Sequence, residues 1–116
     1  MCVRVLGAVS ISFLRTFSVT GSEFKDNNAE GVGAISTSTV DDLSVTGNRF
    51  QNNTAAEFGG AIRVDVSEDV TITENKFVRN VAGDAGGAVY TSRVSDTRTT
   101  KPNRFIRNAP DEVVNI

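Results

Sequence analysis

Four phenylalanines set the frame for this chain. Phe24, Phe50, Phe77 and Phe105 stand 26, 27 and 28 residues apart. Asn27, Asn53, Asn80 and Asn108 each follow their phenylalanine by three residues, and Ala29, Ala55 and Ala82 follow by five, with Pro110 in that place at the end. Gly33-Ala34, Gly60-Ala61 and Gly87-Ala88 recur at a spacing of 27, and Gly7-Ala8 stands 26 residues before the first of them. Self-similarity at one period of this length is the mark of a solenoid, in which a repeat too small to bury its own apolar face is covered by its neighbours.

Inside one period the apolar residues alternate. Ile62, Val64 and Val66 are separated by Arg63 and Asp65, and Val70 and Ile72 by Thr71. Period two means strands. Ser67-Glu68-Asp69 reads as a turn between two short strands, and Glu74-Asn75-Lys76 as a second turn before Phe77. Three short strands fill the period, leaving no room for a helix. When copies are stacked, like residues fall into columns: Val9, Ile35, Ile62 and Val89; Phe17, Leu43 and Val70; Val19, Val45 and Ile72; and the four phenylalanines. The expected fold is all-β, a right-handed parallel β-helix of about four coils with a period of 26–28 residues, the coils running roughly 7–32, 33–59, 60–86 and 87–116.

The glycines are expected at the corners, where positive φ is needed. Asn is the non-glycine residue that best tolerates that region. The column Asn27, Asn53, Asn80 and Asn108, and a second column of Ser22, Asn48, Asn75 and Asn103, are also placed to share side-chain hydrogen bonds up the stack.

The segments "FQNNTAAEFGGAI" and "FVRNVAGDAGGAV" resemble the FxxN and GGAI motifs of the polymorphic outer membrane protein repeat of chlamydial-type surface autotransporters. The likeness runs over nearly the whole chain, on Phe24, Asn27, Gly33, Phe50, Asn53, Gly60, Phe77, Asn80, Gly87, Phe105 and Asn108 as structural repeat positions. It implies a pectin lyase-like β-helix fold and a secreted or surface-displayed setting. Val32 departs from the motif, standing where the first Gly of GGAI belongs. Leucine-rich repeats share this range of periods but need an L-x-x-L-x-L scaffold; Leu6, Leu14 and Leu43 are the only leucines.

Composition removes several function classes. A net charge of −2 offers no overall basic footprint for nucleic acid. Without histidine, a Ser-His-Asp triad and His-ligated zinc are excluded within the chain. Cys2, the only cysteine, permits no intrachain disulfide. No apolar run approaches the length of a membrane span. Ser10 and Ser12 interrupt the apolar stretch near the N-terminus, which reads as a repeat strand rather than a signal peptide.

Candidate chemistry is sparse. Asp41-Asp42 and Glu68-Asp69 occupy equivalent places before Leu43 and Val70. Parallel β-helix enzymes of the pectate lyase kind use such carboxylates, but these recur with the repeat and suit turns. Arg63, Arg79, Arg93, Arg98, Arg104 and Arg107 read as a solvated face, with Tyr90 the only tyrosine and tryptophan absent. Gly86-Gly87 is followed by Ala88 and Val89, which breaks the calcium-binding nonapeptide pattern. Ser18-x-Thr20, Ser44-x-Thr46 and Thr71-x-Thr73 form an outer hydroxyl array of the sort that ice-binding β-helices display, although Thr is also simply a good strand residue. Asn52-Asn53-Thr54 is an N-glycosylation sequon.

No catalytic, cofactor-binding or metal site is expected. The sequence points to a structural, adhesin-like segment with a host or cell-surface protein or glycan as partner; the alternative is a fragment of a carbohydrate-active β-helix enzyme. The ends lack capping units, so part of a longer protein, a truncated gene or a unit that self-associates end to end is expected. The last copy, with one extra residue and Pro102, is expected to carry a bulge or loop near Arg98 to Pro102.

Overall fold

The computed structural model describes residues 2–3, 9–29, 33–99, 103–110 and 113–115. Each lap opens with a long strand: β2 (Val9–Thr20), β5 (Ile35–Thr46), β8 (Ile62–Thr73) and β11 (Val89–Thr99). With β1 (Cys2–Val3) and β13 (Val113–Asn115) these form one sheet in the order β1-β2-β5-β8-β11-β13. A second sheet stacks β3 (Glu23–Lys25), β6 (Arg49–Gln51), β9 (Lys76–Val78) and β12 (Arg104–Ile106), and a third stacks β4 (Asn28–Ala29), β7 (Thr54–Ala55) and β10 (Val81–Ala82). The ladders are parallel, and like pairs with like: Phe50 with Phe77, Leu43 with Val70, Val45 with Ile72. Among the described residues there is no helix. The expected parallel β-helix is the observed architecture.

The interior explains the columns. Phe24, Phe50 and Phe77 are fully buried, and their rings stack with Phe105 at centroid spacings of 4.9, 4.9 and 5.0 Å and interplanar angles of 5–6°. That spacing is set by the strand repeat of about 4.8 Å. Burying each ring stabilises the coil by roughly 1.5–3 kcal/mol, and the stacking adds about 0.5–1.5 kcal/mol per pair.

The strand pattern differs from the expectation in one respect. The first two short strands of each period are a single twelve-residue strand in β2, β5 and β8, and the supposed turn at Ser67-Glu68-Asp69 lies inside β8. A left-handed residue bends each long strand: Phe13, Thr39, Val66 and Arg93, with φ of 57°, 57°, 56° and 55°. This residue shifts the in-out alternation by one place. Val66 is therefore exposed and Ser67 buried, its hydroxyl donating to the Val40 carbonyl. The inward set of the lap is Ile62, Val64, Ser67, Val70 and Ile72.

Corners also differ. Gly59 and Gly86 do take positive φ (70° and 67°). Gly33, Gly60 and Gly87 serve another purpose. A Cβ on Gly60 would lie 2.2 Å from the carbonyl oxygen of Gly87, so these glycines let one coil sit on the next. The repeat asparagines are not the left-handed residues either. The residue before each one is: Asp26, Asn52, Arg79 and Arg107.

The asparagines form the ladders instead. Asn53 Nδ2 donates to Asn80 Oδ1 (2.8 Å) and to the Phe24 carbonyl (3.0 Å), while Asn53 Oδ1 accepts from the backbone N–H (3.2 Å) and Nδ2 (2.9 Å) of Asn27. Asn80 repeats this with Asn108 and Phe50. In the second ladder Asn48 and Asn75 bond upward to Asn75 and Asn103, and Ser22 N–H donates to Asn48 Oδ1 at 2.9 Å. Each amide satisfies backbone groups that a corner would otherwise bury unpaired.

In the last lap β11 stays in register with β8 as far as Thr99 opposite Ile72, and Asn103 has rejoined the ladder. The extra residue therefore falls between Thr99 and Asn103, and the rest of the expected bulge, Thr100 to Pro102, lies outside the described residues. Gly7-Ala8 and Val32 lie outside them as well.

Candidate outer-face contact site

The repeat positions are scaffold, so any site has to be built where the outer face departs from the repeat. Such a departure occurs at the corner before β8. Gly59, with positive φ, turns the chain so tightly that a Cβ there would meet Arg63 Cβ at 2.8 Å. Phe58 is thereby laid over the outside of the long sheet. Its ring stacks on Tyr90 with centroids 4.6 Å apart, and the Arg63 guanidinium carbon lies 5.5 Å from the Phe58 centroid. Arg63 and Tyr90 are direct partners across β8 and β11. Arg63 Nε approaches Asp65 Oδ2 at 3.2 Å, an ion pair without hydrogen-bond alignment.

Phe58 covers Tyr90 almost completely, leaving it 7% exposed, while Phe58 itself is half-buried. The patch therefore offers an aromatic face beside a guanidinium with unused donors and a carboxylate. Interfaces are enriched in such aromatic and Arg side chains. It also corrects the reading that no aromatic platform accompanies the arginines. Phe58 pairs with Ala85 in the next coil, so the aromatic does not recur with the repeat. The signal available was the departure itself: a large aromatic directly before Gly59-Gly60, five residues ahead of Arg63.

The other candidates are placed by register. Asp42 and Asp69 are paired on neighbouring strands and exposed, with Asp41 and Glu68 beside them. Several basic residues fall into columns. Arg49, Lys76 and Arg104 occupy one column of the second sheet, and Arg79 and Arg107 one column of corners. The hydroxyl array is in register, Ser18-Ser44-Thr71 and Thr20-Thr46-Thr73, and Ser44 Oγ lies 3.4 Å from Thr46 Oγ1. Of the sequon residues, Asn52 is half-buried on its left-handed corner and Asn53 is fully buried in the ladder. Among the described residues, no three Cys, Asp or Glu side chains gather as metal ligands, and no helix is long and apolar enough to cross a membrane.

Comparison with known proteins agrees with the coil geometry. No curated protein and no solved structure matches the chain. A family model described as "Right handed beta helix region" matches residues 6–110, nearly the whole chain. With its parallel ladders and stacked Phe and Asn columns, the chain belongs to the right-handed β-helix family.

Proposed function

We propose that this chain is a non-enzymatic, adhesin-like β-helix segment of a secreted or surface-displayed protein, in the manner of the polymorphic outer membrane protein repeat. It acts as a stiff spacer that presents a contact surface to a cell-surface protein or glycan. The observation that carries this reading is the Phe58–Tyr90 stack with Arg63 over Phe58. Inside the tube, side chains follow the repeat because each must match the coils above and below. Outside, no such constraint makes Phe58 or Arg63 necessary, and their clustering suits recognition.

Binding of the labelled chain to cell surfaces and glycan arrays tests it. Phe58→Ala with Arg63→Ala is expected to lower binding at least tenfold, as loss of an interface anchor does, while circular dichroism stays unchanged. Equal binding by this variant overturns the assignment of the patch. Lyase or hydrolase activity on acidic polysaccharides that disappears in Asp42→Asn or Asp69→Asn overturns the non-enzymatic reading.

A further inference from the structure

Two columns of like charge run up the outside of the tube on neighbouring faces. On the second sheet the column reads Glu23, Arg49, Lys76, Arg104. On the long sheet it reads Thr16, Asp42, Asp69, Asp96. Both columns carry like charge on the same two neighbouring coils, Arg49 and Lys76 in one and Asp42 and Asp69 in the other, and both climb at the strand spacing of about 4.8 Å. Arg49, Arg104, Asp42 and Asp69 are exposed and Lys76 is half-exposed, and among the described residues none of the five forms an ion pair or a side-chain hydrogen bond.

Like charges placed directly opposite on neighbouring strands are destabilising. A single chain bears this repulsion twice, once with each sign. Neither column relieves the other within the molecule, because a corner separates the two faces: Gly47 and Asn48 stand between Asp42 and Arg49.

We infer that the basic column of one copy docks against the acidic column of a second copy, so that the chain associates side by side. Coils aligned in parallel bring Arg49 to Asp42 and Lys76 to Asp69. A linear polyanion would neutralise the basic column alone and would leave the acidic one both unexplained and repelling it. The contact joins two different faces, so it is heterologous and extends into a row unless rotation closes a ring. Exposed ion pairs are individually weak and screened by salt, so the association depends on concentration and ionic strength. This inference goes beyond the proposed function and does not use the Phe58 patch.

Sedimentation equilibrium of the whole chain tests it at roughly 0.01 M and 1 M salt, where the screening length falls from about 30 to about 3 Å. The wild type is expected to associate at low salt and not at high salt. Arg49→Glu with Lys76→Glu, and separately Asp42→Lys with Asp69→Lys, should each lose association by about tenfold or more. An equimolar mixture of these two variants should regain it, because one then carries acid on both faces and the other base. A wild type that stays monomeric at low salt, or associates equally at both salts, overturns the inference, as does a mixture that fails to recover. Heparin retention lost in the first variant, with no self-association by the wild type, assigns the basic column to a polyanion instead. If a reversed variant fails to fold, the neutral pairs Arg49→Gln/Lys76→Gln and Asp42→Asn/Asp69→Asn replace it. Each should then weaken self-association, and mixing should restore a 1:1 dimer, because the acidic column of the first meets the basic column of the second; unchanged association in both, or no dimer on mixing, would overturn the inference.

Discussion

Asn53 and Asn80 stand one coil apart, and Nδ2 of the first donates to Oδ1 of the second at 2.8 Å with both side chains fully buried. That bond belongs to a chain of amides. Asn80 Oδ1 also accepts the Asn53 backbone N–H at 3.1 Å, and each Nδ2 reaches back to a carbonyl of the preceding coil. Asn53→Ala removes both side-chain bonds and leaves the Asn27 backbone N–H without its acceptor. With an orphaned donor costing about 1–3 kcal/mol, a loss of that order is expected. Asn53→Asp keeps the shape but replaces the donor by an acceptor facing two other acceptors, and should destabilise at least as much at neutral pH. Urea denaturation checks both; a midpoint within error of wild type would remove the ladder from the account of stability.

Gly60 and Gly47 separate two reasons for glycine. At Gly60 an added Cβ would meet the Gly87 carbonyl oxygen at 2.2 Å and Val81 backbone atoms at 2.7 and 2.8 Å. At Gly47 it would meet nothing within 4 Å, but φ is +67°. Glu74 occupies the equivalent corner one coil on, with φ of 57°. Gly47→Ala should therefore cost only about 1–2 kcal/mol, the left-handed penalty. Gly60→Ala must push two coils apart and should cost clearly more. Thermal melts of the two variants decide it, and the reverse order would contradict the close-approach argument.

Val66 is a β-branched residue held at φ 56° and 39% exposed. It contributes little burial in return for a conformation that costs L-residues about 1–2 kcal/mol. Val66→Asn is expected to stabilise the chain by roughly 1 kcal/mol, since Asn tolerates this region. A lower denaturation midpoint would show that Val66 packs in a way its exposure does not suggest.

Thr37 is 1% exposed, and its hydroxyl has no hydrogen-bond partner among the described residues. Val64 fills the same column one coil on. Thr37→Val keeps the volume and removes an unsatisfied buried oxygen, so it should stabilise by about 1 kcal/mol. Equal or reduced stability in chemical denaturation would mean that the hydroxyl finds a partner in solution.

Much of this was legible in advance. The period, the Phe and Asn spacing and the alternation of small apolar residues determine stacking by themselves, because parallel coils set like residue on like and only matched columns fill a tube without voids or stranded polar groups. The inward columns through Ile35, Leu43 and Val45, and both asparagine ladders, follow from that arithmetic. Alternation alone could not show where it skips. Val66 reads as inward by period two, and only the left-handed bend shared by Phe13, Thr39, Val66 and Arg93 turns it out and Ser67 in. Nor could spacing assign Gly60 to close coil contact and Gly59 to positive φ, since both demands select the same residue. The Phe58–Tyr90–Arg63 patch, and the placing of the Asp42–Asp69 and Arg49–Lys76 columns on neighbouring outer faces, were left to tertiary structure because outward side chains carry no packing constraint. Their partners are chosen by which corner folds over which strand, and a linear reading does not contain that relation.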